Sequence, residues 1–546
     1  MKLYGISILT IAAGALAFTS CADLDQQPQG GTLTENQSVA TNSAIPSRTT
    51  ATFSGMFSMM GDPRSVYPTS QRADDFGFIM MAISDDLEGA DMQMQNNDYN
   101  WFSTCGELSS RNANYANPYI RYVIPFREIG VCNQVIASYP AGTTDATAVN
   151  HIAQARAMRA FSYMSLAPYF QFSYATAGDS ACVPILKDGT DYTNNPRATV
   201  KEVYAYIMDD LNAAVEALQN STARTSKDQI DINVAYGLRA RANLAMGNYA
   251  DAASDAEKAA AGYTPASLAE VSVPAFDKIS EHNWIWGINI TDAMVQDETD
   301  GYASASSWLS AFSGDGFAPA CQCVPVINKM LYDKIPSTDV RKGWWLNDAL
   351  HSPNWANCTW NGVSGDAIAN LTIENVKLVM LPYMSIKFGM KSGVGNALNN
   401  NDWPLMRVEE MLLIEVEGYA KSGFPEKAKQ ILKDFVQTYR DPSYDVNNLT
   451  RSLEDEIWYQ RRVELWGEGF FTGDAKRLNK PVVRFHGSGT CNFPDAFIFN
   501  MYANDKWLNM RFPQTEMNNN AGIIDNTGGS QPEAGQNPNL RDGVTD

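Results

Sequence analysis

The sequence predicts a mainly α fold, a helical-repeat scaffold that carries one loop-rich region with short strands. Three observations predict it. Long segments repeat their apolar residues at three- and four-residue steps, the period of a helix with one buried face. One helix–turn–helix pattern occurs twice. Between its two occurrences, residues 270–404 lose that periodicity and become rich in aromatics set among Gly, Asn, Ser and Asp.

The chain has 546 residues, 45% of them apolar and 19% charged, which is globular composition. Its formal net charge of −20 lacks the basic footprint that nucleic acid needs, so no nucleic-acid partner is expected. Residues 3–20, "LYGISILTIAAGALAFTS", follow Lys2 and are mostly apolar. A charged start, an apolar middle and small residues at the end make a signal peptide. A retained membrane helix needs about 20 apolar residues, so the run is borderline for spanning. Cys21 directly after Thr19 and Ser20 makes the stretch similar to a bacterial lipobox, with Phe18 as a departure. Cys21 is therefore the expected acylated N-terminus, and the membrane is reached through that lipid anchor. Residues 22–50 are polar and are expected to form a tether. Seven cysteines remain, an odd number at wide spacing, so no disulfide framework is expected. No metal or cofactor is expected either.

Helical patterns begin after the tether. "HIAQARAMRAFSYMSLAPYF" places Ile152, Ala155, Met158, Arg159, Ser162 and Leu166 on one face. "TVKEVYAYIMDDLNAAVEAL" opens with the capping box Thr199–Glu202 and turns Val203, Ile207, Leu211, Ala214 and Leu218 inward. The duplicated pattern follows. Gly247 corresponds to Gly423, Ala252 to Ala428 and Leu238 to Ile414, each pair 176 residues apart. The glycines end the first helix of each unit, and the alanines let the second helix pack closely. Each unit resembles a tetratricopeptide repeat, an architecture of stacked helix pairs that argues for a scaffold.

The aromatic residues supply the candidate site. A pyranose ring presents C–H groups that stack on an aromatic face, and its hydroxyls need polar partners at the rim. "NNDYNWF" carries that mixture. Tyr99 and Trp101, two apart, share one side of an extended segment, with Asp98 and Asn100 on the other. Trp308 and Phe312 share a face if helical. Trp344 and Trp345 are adjacent, so at most one is expected at the surface. Trp284 and Trp286 alternate with Ile285 as in a strand with one buried face. Trp355 and Trp360 lie among Asn and Ser. Tyr99, Asn100, Trp101, Trp308, Trp344, Trp355 and Trp360 are the candidate ligand residues. Glu464 and Glu468 in "RRVELWGEG" have the spacing of a glycosidase pair, but ion pairing with Arg461 or Arg462 on the same or a neighbouring helix is the stronger expectation. "DDLEGAD", residues 85–91, is acidic without the EF-hand spacing and is expected to be a solvated loop. The Asn- and Gly-rich end from about residue 518 is expected to be peripheral.

Taken in order, these pieces resemble the SusD/RagB outer-membrane lipoproteins of Bacteroidetes nutrient-uptake systems. The motifs are "CADLDQQP", "ARAMRAFSYMSLAPYF" with "CVPIL", "IPSTDVRKGWW", "DWPLMRVEEMLLIEVEGYAKSG", "YQRRVELWGEG" and "RFPQTEMNNN". Gln460 stands where the family usually has Glu, Phe471 where it often has Arg, Ala475 where Leu often follows Asp, and Phe170–Gln171 where aromatic–Gly is common. The resemblance implies a single SusD-like domain over residues 21–546. Its scaffold would cover about 50–265 and 405–515, with the insert at about 270–404. It implies binding without catalysis, a glycan ligand or in some branches a peptide, and a SusC-like TonB-dependent transporter as partner. Asp23 and Asp25 resemble surface-export signals. A glycoside hydrolase and a non-binding helical-repeat adaptor are the rival readings.

Overall fold

The computed structural model describes residues 44–70, 72–94, 99–187, 190–221, 224–373, 376–377, 380–526, 528 and 531–546, together with 37, 40 and 41. Cys21, Asp23, Asp25 and Asp98 lie outside the described residues.

The longer helices are α1 (Pro46–Ser58), α2 (Gly77–Glu88), α3 (Ala116–Ala137), α4 (Ala146–Phe170), α5 (Val200–Leu218), α6 (Ile232–Met246), α7 (Tyr249–Ala260), α8 (Val408–Lys421), α9 (Pro425–Tyr439), α10 (Leu453–Glu464) and α11 (Phe471–Arg477). They pack in sequence, α3 on α4, α4 on α5, α6 on α7, α7 on α8, and α8 on α9. The fold is mainly helical, as the periodicity predicts.

Local chemistry sets the helix ends. Asp145 caps α4 by accepting from Ala148 N at 2.9 Å. The Thr199–Glu202 capping box of α5 forms in both directions. All five residues of the predicted α5 face, Val203 to Leu218, are buried. Gly247 ends α6 at φ 80°, a left-handed conformation that favours glycine. Gly423 lies between α8 and α9 at φ 92°. Leu238, Ile414, Ala252 and Ala428 are fully buried. The α6–α7 and α8–α9 pairs are thus equivalent units, and they stack through α7 and α8.

The insert between them differs in detail from its expected strands and loops. It also contains one-turn helices, among them Ala305–Leu309, Phe317–Ala320 and Lys329–Lys334. Its two ends meet as an antiparallel pair, β2 (Trp284–Ile288) against β4 (Trp403–Arg407), with Ile288 opposite Trp403. A second pair, β1 (Met92–Gln93) with β3 (Val326–Ile327), ties the segment after α2 to the insert. The insert has its own hydrophobic core around Phe312, Leu346, Trp355, Trp360 and Met384.

Two expectations are corrected. Residues 85–91 are not a solvated loop. Asp85, Asp86, Glu88 and Asp91 are all buried at and just beyond the end of α2. Asp86 accepts from the backbone N–H groups of Gly469, Phe470 and Phe471, Glu88 pairs with Arg111 and Arg121, and Asp91 pairs with Arg462. The C-terminal stretch is not peripheral either. Asn526 donates to Phe170 O, and Asp542 makes a buried ion pair with Arg462 at 2.6 Å.

Candidate functional site

The turn at residues 99–102 is where sequence and structure meet. Tyr99 is 64% exposed and Trp101 39%, while Asn100 between them is buried. Asn100 is thereby corrected from ligand contact to support, because its Oδ1 accepts from Phe102 N at 3.0 Å and fixes the turn. Of the twelve tryptophans only Trp101 is exposed; Trp507 is half-buried and the rest are buried.

The Trp101 ring does not stand alone. The Arg72 guanidinium carbon lies 5.1 Å from its centre and 5.4 Å from that of Tyr67. Tyr67 meets Tyr119, at the start of α3, with ring centres 5.7 Å apart. Trp101, Arg72, Tyr67 and Tyr119 form a surface row in which the cation is held between two ring faces. Sequence reasoning missed Arg72, Tyr67 and Tyr119. They come from a Pro-flanked loop and a helix start, and only the fold brings them beside Trp101.

Buried carboxylates brace the row. Asp75 accepts from Val66 N at 2.8 Å, Tyr67 N at 2.7 Å and Ser65 Oγ at 3.2 Å. Asp74 holds Arg72 at 2.7 Å. Burial raises the Tyr67 phenol above its ordinary value, so its hydroxyl stays protonated and can donate. The surface therefore offers ring faces, phenol hydroxyls and one neutralised guanidinium.

Trp308, Trp344, Trp355 and Trp360 are corrected as direct ligand contacts. All four are buried to within 2%. Three of their indole N–H groups have internal acceptors, Ala73 O for Trp308 at 2.9 Å, Val271 O for Trp344 at 2.8 Å and Asp366 Oδ1 for Trp355 at 2.8 Å. Trp360 packs in the insert core. Trp345, Trp284 and Trp286 are buried as well. The helix holding Trp308 ends at Leu309, so Phe312 enters the insert core separately. Trp308 acts from beneath the site. It meets Phe102 edge-on at 4.8 Å, stacks on Phe317 at 4.1 Å, and holds the 72–75 loop through Ala73.

Glu464 and Glu468 sit in a buried ion cluster rather than a cleft. Asp339, Glu409, Glu464 and Glu468 face Arg341, Lys387, Arg407 and Arg440, so formal charge cancels. Their partners are not Arg461 and Arg462, which pair with Asp474, Asp91 and Asp542. Burial alone would raise the Glu464 carboxyl, but Arg440, Arg407 and Arg341 outweigh it and hold it well below the usual range. Gln460 fits the cluster as a neutral bridge, accepting from Arg341 at 2.7 Å and donating to Glu456 at 2.8 Å. Phe471 lies under the Arg462 guanidinium at 5.3 Å. Among the described residues, no group of three or more His, Cys, Asp or Glu is placed to hold a metal, and the seven described cysteines are free thiols. No helix of the described residues is long and apolar enough to cross a membrane.

Comparison with known proteins identifies the family and the fold. The SusD family profile matches residues 345–535, and a second profile, described as starch-binding associating with outer membrane, matches residues 77–244. The chain belongs to the SusD/RagB family. The fold of this SusD-like chain is similar to a SusD-like carbohydrate binding protein from Bacteroides vulgatus. That pair is 23% identical at TM-score 0.70, covering 88% of this chain and 97% of the other. It is also similar to surface glycan-binding protein A from Bacteroides thetaiotaomicron, solved with laminarihexaose. That pair is 16% identical at TM-score 0.61, covering 88% and 99%. No curated protein matches the sequence.

Proposed function

We propose that this SusD-like protein is a cell-surface lipoprotein that captures oligosaccharide or polysaccharide and passes it to a TonB-dependent outer-membrane transporter. Cys21 carries the acyl anchor, Asp23 and Asp25 act as the export address, and residues 21–546 work as one domain. The observation that carries the reading is the exposed Trp101 ring, backed by Arg72 and continued by Tyr67. A braced indole loses little freedom when a sugar ring stacks on it, and the neighbouring hydroxyls and guanidinium satisfy the sugar's rim. Tyr99, also exposed in the 99–102 turn, is the second ring this reading assigns to the ligand. The relatives named above, one a carbohydrate binding protein and one solved with laminarihexaose, support a glycan as ligand. So does the starch-binding description of the matching profile. Capture makes and breaks no bond.

Affinity electrophoresis of the chain from residue 22 through gels containing different polysaccharides tests this. Retardation by at least one glycan is expected, and its loss in Trp101→Ala. Retardation by none, with binding to peptide mixtures instead, would contradict it.

A further inference from the structure

A cavity of about 250 Å³ opens on the helical scaffold, between α2, the end of α4, α5, α6, β4, α8 and α11. None of its lining residues belongs to the Trp101 row. Its walls are largely aromatic and apolar, with Phe78, Phe161, Met164 and Tyr204 inside and the half-buried rings of Phe172 and Phe470 at the mouth. Arg241 lies against the Phe470 ring at 5.3 Å, and the Lys476 amine, whose pKa burial lowers to about 7, lies 5.5 Å from the Phe172 ring.

The charged groups in the lining are already engaged. Arg241 is paired with Glu410, Asp474 with Arg461 and Arg477, and Glu468 with Arg407. The Lys476 ammonium donates to Pro168 O, Leu508 O and Asn509 Oδ1. Asp85 accepts from Thr472 N at 3.0 Å, and burial beside Asp86 and Glu88 pushes its carboxyl well up, toward the neutral form. A charged guest would find no free counter-charge in this lining.

Gly473 is the second observation. It sits within α11, where glycine costs a helix about 1 kcal/mol relative to alanine. Its φ is not in the left-handed region, and a Cβ added there meets nothing within 4 Å. Neither backbone nor packing requires glycine at this position. Gly473 lines the cavity, and its missing side chain leaves open space at that wall.

We propose that this cavity is a second binding site, taking an uncharged small molecule with an aromatic, largely apolar body seated between Phe172 and Phe470. Aromatic walls, a neutralised lining and partial enclosure are the properties of small-ligand pockets.

The test uses the fluorescent probe N-phenyl-1-naphthylamine with the chain from residue 22. Saturable one-to-one binding is expected. Gly473→Leu, which fills the open space, and Ser165→Trp, at the half-buried rim, should each weaken it at least about tenfold. Neither should lower the melting temperature, with Gly473→Leu expected to raise it slightly as the better helix former, and both should keep the wild-type glycan affinity. The anionic relative 1-anilinonaphthalene-8-sulfonate should bind at least about tenfold more weakly, for want of a counter-charge. Hydrogen exchange on the wild-type chain needs no variant, and the probe should protect residues 161–174 and 470–477. No saturable binding, equal affinity in stably folded variants, tighter binding of the sulfonate, or no protection at those segments would overturn the proposal. Loss of glycan binding with probe binding intact would bear on the Trp101 surface alone.

Discussion

At the scale of single residues, exposure divides the tryptophans by role. Trp101 faces solvent while Trp308 supports the loops that present it. Trp308→Phe keeps a ring in the stack but removes the bond to Ala73 O. It should lower stability by about 1 kcal/mol and weaken glycan binding severalfold with Trp101 untouched. Denaturant unfolding and calorimetry on one preparation measure both effects. Glu415 gives a pH-dependent prediction. It is buried on α8, and burial, with Glu257 nearby, raises its carboxyl to about 7. An acid with a raised folded pKa costs stability increasingly as pH rises from its ordinary value of 4.5 to about 7, and by a constant amount above that. Glu415→Gln should therefore raise the melting temperature at pH 8, by about 2 °C, and the gain should shrink through the window from about 7 to 4.5 and vanish below it. The sequence paired Tyr99 with Trp101 on an extended segment; the structure exposes both rings and buries Asn100, but in a turn that Asn100 fixes through Phe102 N. It gave no means of separating the other tryptophans. An indole among Asn and Ser looks the same whether its N–H meets solvent or, like that of Trp355, a carboxylate of the chain itself, Asp366.

At the scale of elements, the repeat was legible because its chemistry is local. Gly247 and Gly423 take the left-handed conformations that their positions after a helix predict. The Thr199–Glu202 box closes because both partners lie within one turn. Where the partner is distant, local patterns mislead. The acidic run 85–91 resembles a solvated loop until its partners Arg111, Arg121, Arg462 and the backbone around Gly469 are seen. The stacking of the two repeat units rests on close approach at Gly418. A Cβ there would lie 2.6 Å from Tyr249 O and 2.8 Å from the Ala253 methyl. Gly418→Ala should push α7 and α8 apart and destabilise the chain by about 1–3 kcal/mol, although alanine is the better helix former. A melting temperature at or above wild type would contradict that contact.

At the scale of the whole molecule, the helical scaffold holds two unlike surfaces. One is the Trp101 row, tied to the insert by the β1–β3 pair and by Trp308. The other is the half-open cavity beside α11. The buried cluster of four carboxylates and four cations links β4, α8, α10 and the insert, so the motifs that mark the family mark its framework. That is why the fold was legible and, of the candidate site, only the exposed rings of Tyr99 and Trp101 were. The cluster's residues stand within short local motifs that the sequence displays, whereas the Trp101 row depends on loops brought together only in space. The most direct test of the central claim is a calorimetric titration of the tightest-binding oligosaccharide into the wild-type chain and Trp101→Ala side by side. Removing the stacking ring should weaken binding at least about tenfold and leave the melting temperature unchanged. Equal affinity in a folded Trp101→Ala protein would contradict the account and move the glycan away from this surface.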